Sequence, residues 1–178
     1  MIDWEHPKIM LAREFARVHH GEQTRKYTGE LYITHPVAVA KMVAEHVKDV
    51  EVICAALLHD VVEDTPIKME KIEKTFGPEI ASYVWYLTKP PQYVGNRAKR
   101  KQIDRDRLRE APAIARFIKV MDLWHNSISI KKHDPEFWAT FREEAKMLLD
   151  SMQAFKVVCE FAGHDFAVNE FMTWFGDL

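Results

Sequence analysis

Along this chain the apolar residues return every three or four positions rather than every second one. Phe15, Val18 and His19 line one stripe, Ile80, Val84 and Leu87 another, and Ile114, Ile118 and Met121 a third. That spacing is one face of an α-helix. Sustained two-residue alternation is almost absent, so the fold class is all-α. Pro7, Pro36, Pro66, Pro78, Pro112 and Pro135 each precede a helically spaced stretch, where proline is best tolerated. Gly21 and Gly77 follow such stretches, the usual place of a left-handed cap. The spacing predicts helices over 8–20, 36–47, 50–63, 67–76, 79–88, 98–110, 112–125, 135–160 and 165–175, with loops at 21–34 and 89–97. No repeat, low-complexity tract or long linker interrupts the chain. Its end, FMTWFGDL, reads as an amphipathic helix that docks back on the core or on another subunit, which leaves a homo-oligomer open.

Composition narrows the class. The 178 residues, 47% hydrophobic and 29% charged, suit one globular domain spanning 1–178, large enough to fold without disulfides. Cys54 and Cys159 form no CxxC and read as small buried hydrophobes in a reducing compartment. A net charge of −2 argues against a DNA or RNA partner. No apolar run approaches the roughly 20 residues of a membrane span, and MIDWEHPKIM is not a signal peptide. The expected location is cytoplasmic.

The candidate chemistry sits first in AALLHDVVEDT, 55–65. An apolar helical run meets His59 and Asp60, then Val61, Val62, Glu63 and Asp64. Charged groups rarely enter a buried helix face unless paired or bound to metal. Residues four apart share a face, which would stack His59 with Glu63 and Asp60 with Asp64. Adjacent His59 and Asp60 diverge by about 100°, an angle that still lets both converge on one ion between them. The plainer reading is a helix end turning outward with its acids in water.

Two further segments bear on that choice. In TRKYTGELYITHP, 24–36, Arg25 and Lys26 precede a glycine loop, and His35 stands just before a helix-starting proline. In IKVMDLWHN, 118–126, Asp122 follows Ile118 and Met121, with Asn126 one turn on. Alone, His35 reads as an N-cap or a packed histidine and Asp122 as a partner for Lys119. Together they supply two imidazoles and two carboxylates from separate places.

RKYTGELYITHPVAVA, AALLHDVVEDT, the FG at 76–77 and the aspartate-to-asparagine segment resemble, in order and spacing, the HD-domain hydrolases. The likeness is nearest to the small alarmone hydrolases and the hydrolase domain of RelA/SpoT proteins, and it covers about residues 10–130. It implies a helical bundle of eight to nine helices, with the segment 135–178 packing on the family-like part. It implies metal ligands His35, His59, Asp60 and Asp122, and a catalytic acidic pair, Glu63 first and Asp64 in support. A donor set of nitrogens and carboxylates without thiolate suits Mn²⁺, the ion the family uses. The resemblance implies hydrolysis of the 3′-diphosphate of (p)ppGpp to GDP or GTP and pyrophosphate. Its nearest alternatives are (p)ppApp or the 2′-phosphate of NADPH, and an alternative of another class is a nucleotide-binding module with a decayed site. Arg25 and Lys26 match the family's nucleotide-facing basic pair, and Asn126 would bond the ligand carboxylate, the water or the ribose.

The run RAKRKQIDRDRLR, 97–109, holds seven basic and two acidic residues. It reads either as a solvated helix face or as a cationic rim steering a polyphosphate, with Lys99, Arg100 and Lys101 as phosphate contacts. Leu123 and Ile128 stand where many relatives carry basic residues, and Trp124 and Ser127 are also unusual. These departures leave the metal and acid positions intact and bear on which base is accepted.

Overall fold

Val52 to Leu58 are buried without interruption, and they form the helix around which the first half of the chain packs. The computed structural model describes residues 1–178. It is helical throughout, with no strand beyond an isolated antiparallel bridge between Thr24 and Leu31. No helix is long and apolar enough to cross a membrane. The chain divides into two compact units, Met1–Lys89 and Pro90–Leu178.

In the first unit, α1 (Pro7–His20), α2 (Thr34–His46) and α6 (Pro78–Leu87) pack on α3 (Val50–Leu58). Between α3 and α6 run α4 (Val61–Asp64) and α5 (Met69–Phe76). Asp49 starts α3 by accepting the backbone N–H groups of Glu51 and Val52 at 2.8 and 3.1 Å, satisfying donors that the helix itself leaves open. Gly77, at φ 95°, ends α5 and opens α6 in a conformation that a side chain would strain.

The second unit begins with a 3₁₀ turn, Gln92–Val94, and continues with α7 (Arg97–Arg109), α8 (Ala113–His133), α9 (Pro135–Ser151) and α10 (Ala154–Ala162). α8 packs against α9 and α10, and α7 against α9. A terminal helical run follows as His164–Phe166, a π-helical Ala167–Phe171 and Met172–Asp177. Trp174 and Leu178 are buried, so this terminal segment docks within its own unit.

Three expected boundaries move. The helix predicted over 50–63 stops at Leu58 and resumes at Val61, because His59 Nδ1 takes the Ala56 carbonyl at 2.8 Å. That carbonyl is the one a continuing helix would give to the Asp60 N–H. The helix predicted over 135–160 breaks at Met152–Gln153, where Gln153 adopts φ 53°, and Arg116 Nη1 donates to the released Met152 carbonyl at 3.1 Å. The helix predicted to close at 125 runs on to His133. Of the two cysteines, Cys54 is buried and Cys159 only half-buried. Burial pushes the Cys54 thiol up to about 12.

Candidate metal and acid site

The break after Leu58 brings His59 and Asp60 to one point. His59 Nε2 lies 3.1 Å from Asp60 Oδ2, and His35 Nε2 reaches the same oxygen at 3.4 Å. All three residues are buried, and their ligand atoms lie within 4.8 Å of one another. His35 sits inside the first turn of α2, its backbone N–H bonded to the Tyr32 carbonyl at 2.9 Å. A carbonyl only accepts, so His59 Nδ1 carries a proton toward Ala56, and Nε2 is the atom that faces the Asp60 carboxylate. A buried carboxylate this close to two imidazole nitrogens is stabilised by positive charge, from a proton or from a cation held by the same atoms. A divalent cation fits this donor set: nitrogen, nitrogen and carboxylate oxygen, with one imidazole already oriented by a carbonyl.

Tyr32, which no sequence motif singles out, also belongs to this site. Its hydroxyl donates to Asp60 Oδ2 at 2.7 Å, its ring lies edge-on to His35, and the Arg25 guanidinium stands 5.8 Å from its centroid. Behind it the buried His20 packs its ring on Tyr32, and His20 Nδ1 lies 2.9 Å from Gln23 Oε1. Gln23 in turn donates to the Asp64 carbonyl at 2.8 Å. Burial holds the His20 imidazole below its usual range, against the opposing pulls of Gln23 and Asp60. In sequence, only the placement of Tyr32 three residues before His35 could have signalled its part.

The two acids part company. The interrupted helix removes the expected shared faces of His59 with Glu63 and of Asp60 with Asp64. Glu63 instead receives Lys89, whose Nζ lies 2.8 and 3.1 Å from its two carboxylate oxygens, with the Lys89 backbone N–H 3.3 Å from one of them. Asp64 lines a cavity of about 280 Å³ together with Gln23, Thr24 and Tyr32. Burial, helped by the charges of Asp60 and Glu63, pushes its carboxyl up to about 6 despite a Tyr32 hydrogen bond and nearby Lys89.

Asp122 and Asn126 lie in the second unit. Asp122 is buried on α8, where Lys119 Nζ donates to its Oδ2 and Asn126 Nδ2 to its Oδ1, each at 2.7 Å. The Lys119 pairing is the plain alternative to a metal-ligand role for Asp122, and the Asn126 amide bonds the carboxylate. The basic run is partly engaged within its own unit. Arg100 donates to the Gly95 carbonyl, Lys101 pairs with Glu144 at 3.2 Å, and Arg97 grips Glu144 at 2.6 and 2.8 Å. Lys99 is exposed. In the first unit Lys26 Nζ stands 4.6 Å from the Tyr27 ring centroid.

A family model described as an HD domain matches residues 12–121. The guanosine-3′,5′-bis(diphosphate) 3′-pyrophosphohydrolase MESH1 of Danio rerio is 33% identical over 132 residues, covering 71% of each chain. Its Drosophila melanogaster counterpart is 30% identical over 161 residues, 86% of this chain and 89% of that one. A guanosine-3′,5′-bis(diphosphate) 3′-pyrophosphohydrolase from Aquifex aeolicus is 51% identical over 82 residues, 46% of this chain. The present chain spans only 12% of that longer protein and 10% of the Escherichia coli SpoT protein. A solved structure of a metazoan ortholog of SpoT, described as hydrolysing ppGpp, superposes with a TM-score of 0.78 at 25% identity, covering 99% of both chains.

Proposed function

The chain belongs to the HD-domain family, among the MESH1-type proteins, and from that membership we propose that it is a metal-dependent hydrolase removing the 3′-diphosphate of (p)ppGpp. The observation that carries this reading is the buried triad of His35, His59 and Asp60, with two imidazole nitrogens turned on one carboxylate oxygen. We assign the ion as Mn²⁺, on the donor set and the family's usage. Asp122 enters as a further ligand on the order of the sequence motifs alone.

When bound, such an ion supplies a Lewis acid for a phosphoryl oxygen and lowers the pKa of adjacent water. The remaining work falls to side chains. Lys89 holds both oxygens of Glu63, so that carboxylate is presented in a fixed direction to orient the attacking water. Asp64, pushed up to about 6 and open to the cavity, supports it as a proton acceptor near neutral pH. The water oxygen bonds to phosphorus, the bond to the ribose 3′-oxygen breaks, and that oxygen leaves with a proton, giving GDP or GTP and pyrophosphate. Arg25 and Lys26 face the nucleotide on the order of the sequence motifs, and within the basic run Lys99 is the exposed candidate for phosphate contact, Arg100 and Lys101 being engaged by Gly95 and Glu144. Trp124 and Ser127, two of the departures from the family pattern, are engaged by Trp174 of the terminal helix.

The test is incubation of purified protein with ppGpp and Mn²⁺ beside ppApp and NADPH, with product analysis. Pyrophosphate from ppGpp, lost by at least roughly a hundred-fold in Glu63→Gln, is the expected result. Orthophosphate from NADPH alone would overturn the substrate, and undiminished turnover in Glu63→Gln would overturn the residue's role.

A further inference from the structure

Two stripes of α8 carry different loads. Lys119, Asp122 and Asn126 form one, joined by the two 2.7 Å hydrogen bonds to the Asp122 carboxylate. Trp124, Ser127 and Lys131 repeat the same three-and-four spacing roughly 140° around the helix, as 3.6 residues per turn requires. This second stripe receives the terminal helix. Trp174 stacks on Trp124 with ring centroids 5.4 Å apart and planes 8° from parallel. Its indole N–H donates to Ser127 Oγ at 2.8 Å, and that hydroxyl donates onward to the Trp124 carbonyl at 2.6 Å. Lys131 and Asp177 close the outer end at 3.0 Å, but as an exposed pair they contribute little.

The relay falls where α8 changes support. Residues 117–123 are buried in unbroken succession, whereas beyond them only Ser127 and Ile130 are. Ile128 is 60% exposed. Asn126 therefore stands at the first turn that the core no longer grips, between the two residues the terminal helix holds. Asn126 also sets the direction of one Asp122 oxygen. The same contacts account for Trp124 and Ser127, which the family resemblance leaves unexplained: they are the receiving surface for Trp174.

We infer that Trp174 is a positioning residue, acting through Ser127 and the Trp124 carbonyl to hold Asn126 against Asp122. The direct consequence lies at the Asn126 side-chain amide, and the kinetic consequence rests on the hydrolase reading above. Trp174→Phe keeps a ring for the stack and deletes the N–H. Ser127→Ala cuts the relay with a change of one atom and serves should the first variant fold poorly. In protein labelled at asparagine with ¹⁵N, each variant is expected to shift the Asn126 side-chain amide resonances and speed their exchange with solvent. With ppGpp and Mn²⁺ each is expected to lower kcat roughly ten-fold, the effect typical of partners that orient a ligand group, with KM within about two-fold. The double variant should be no worse than either single one, because both break the same relay. Lys131→Gln should leave both readouts unchanged. A lowered melting temperature with Asn126 resonances and kcat intact would reduce Trp174 to a packing residue and overturn the inference. If the wild-type protein turns over no ppGpp, the proposed substrate falls, and the Asn126 amide alone decides the positioning role.

Discussion

His59 shows how one side chain can end a helix and shape a site together. By bonding the Ala56 carbonyl through Nδ1 it interrupts α3, and the same bond points Nε2 at Asp60. The Tyr32 hydroxyl donates to the same carboxylate oxygen that the two imidazoles approach. Removing the hydroxyl in Tyr32→Phe should weaken Mn²⁺ binding roughly ten-fold by titration calorimetry, the range seen when a group orienting a ligand is lost. His59→Asn should weaken it further, by at least roughly a hundred-fold. Equal Mn²⁺ affinity in wild type and His59→Asn would remove the triad as a metal site. Asp122→Asn belongs in the same titration, since the motif order expects it to weaken the ion as well.

Among the elements, the α9–α10 junction is the instructive one. Nothing at Met152–Gln153 marks a break: no proline or glycine stands there, and the apolar spacing runs through. What decides it is burial of Met152 and Ala154 on either side, with Arg116 satisfying the carbonyl that the break releases. Arg116→Met preserves the stem and leaves that carbonyl without its donor, so a loss of about 1–3 kcal/mol is expected in urea unfolding. An unchanged midpoint would mean that solvent replaces the guanidinium at no cost. At both breaks, His59 and Met152, a side chain bonds a backbone carbonyl that the helix does not use, a contact that apolar periodicity does not register.

For the molecule as a whole, the buried imidazole of His20 is one of several pH-sensitive groups: burial depresses His19 as well, and Asp64, pushed up to about 6, acts with the opposite sign. Burial depresses the His20 pKa in the folded state, so the unfolded chain binds a proton near pH 6.5 that the folded chain still refuses. The stabilisation from keeping this ring neutral is fully present above about pH 6.5 and is lost as the pH falls below it. His20→Gln should flatten the decline in melting temperature between pH 7 and pH 5 relative to wild type. An identical decline in both proteins would place the acid sensitivity elsewhere.

The sequence alone determined the helical class, most helix positions and the family, because helical period, proline and glycine placement and motif order are local properties of the chain. It also named His35, His59 and Asp60, which the fold then brings within reach of one another. Tertiary structure decided what those residues touch: Tyr32 on Asp60, Lys89 on Glu63, and Trp174 on Ser127. Those partners are 28, 26 and 47 residues apart. No periodicity spans such distances. Only the packing of helices, driven by burial of their apolar faces, selects which distant polar groups meet.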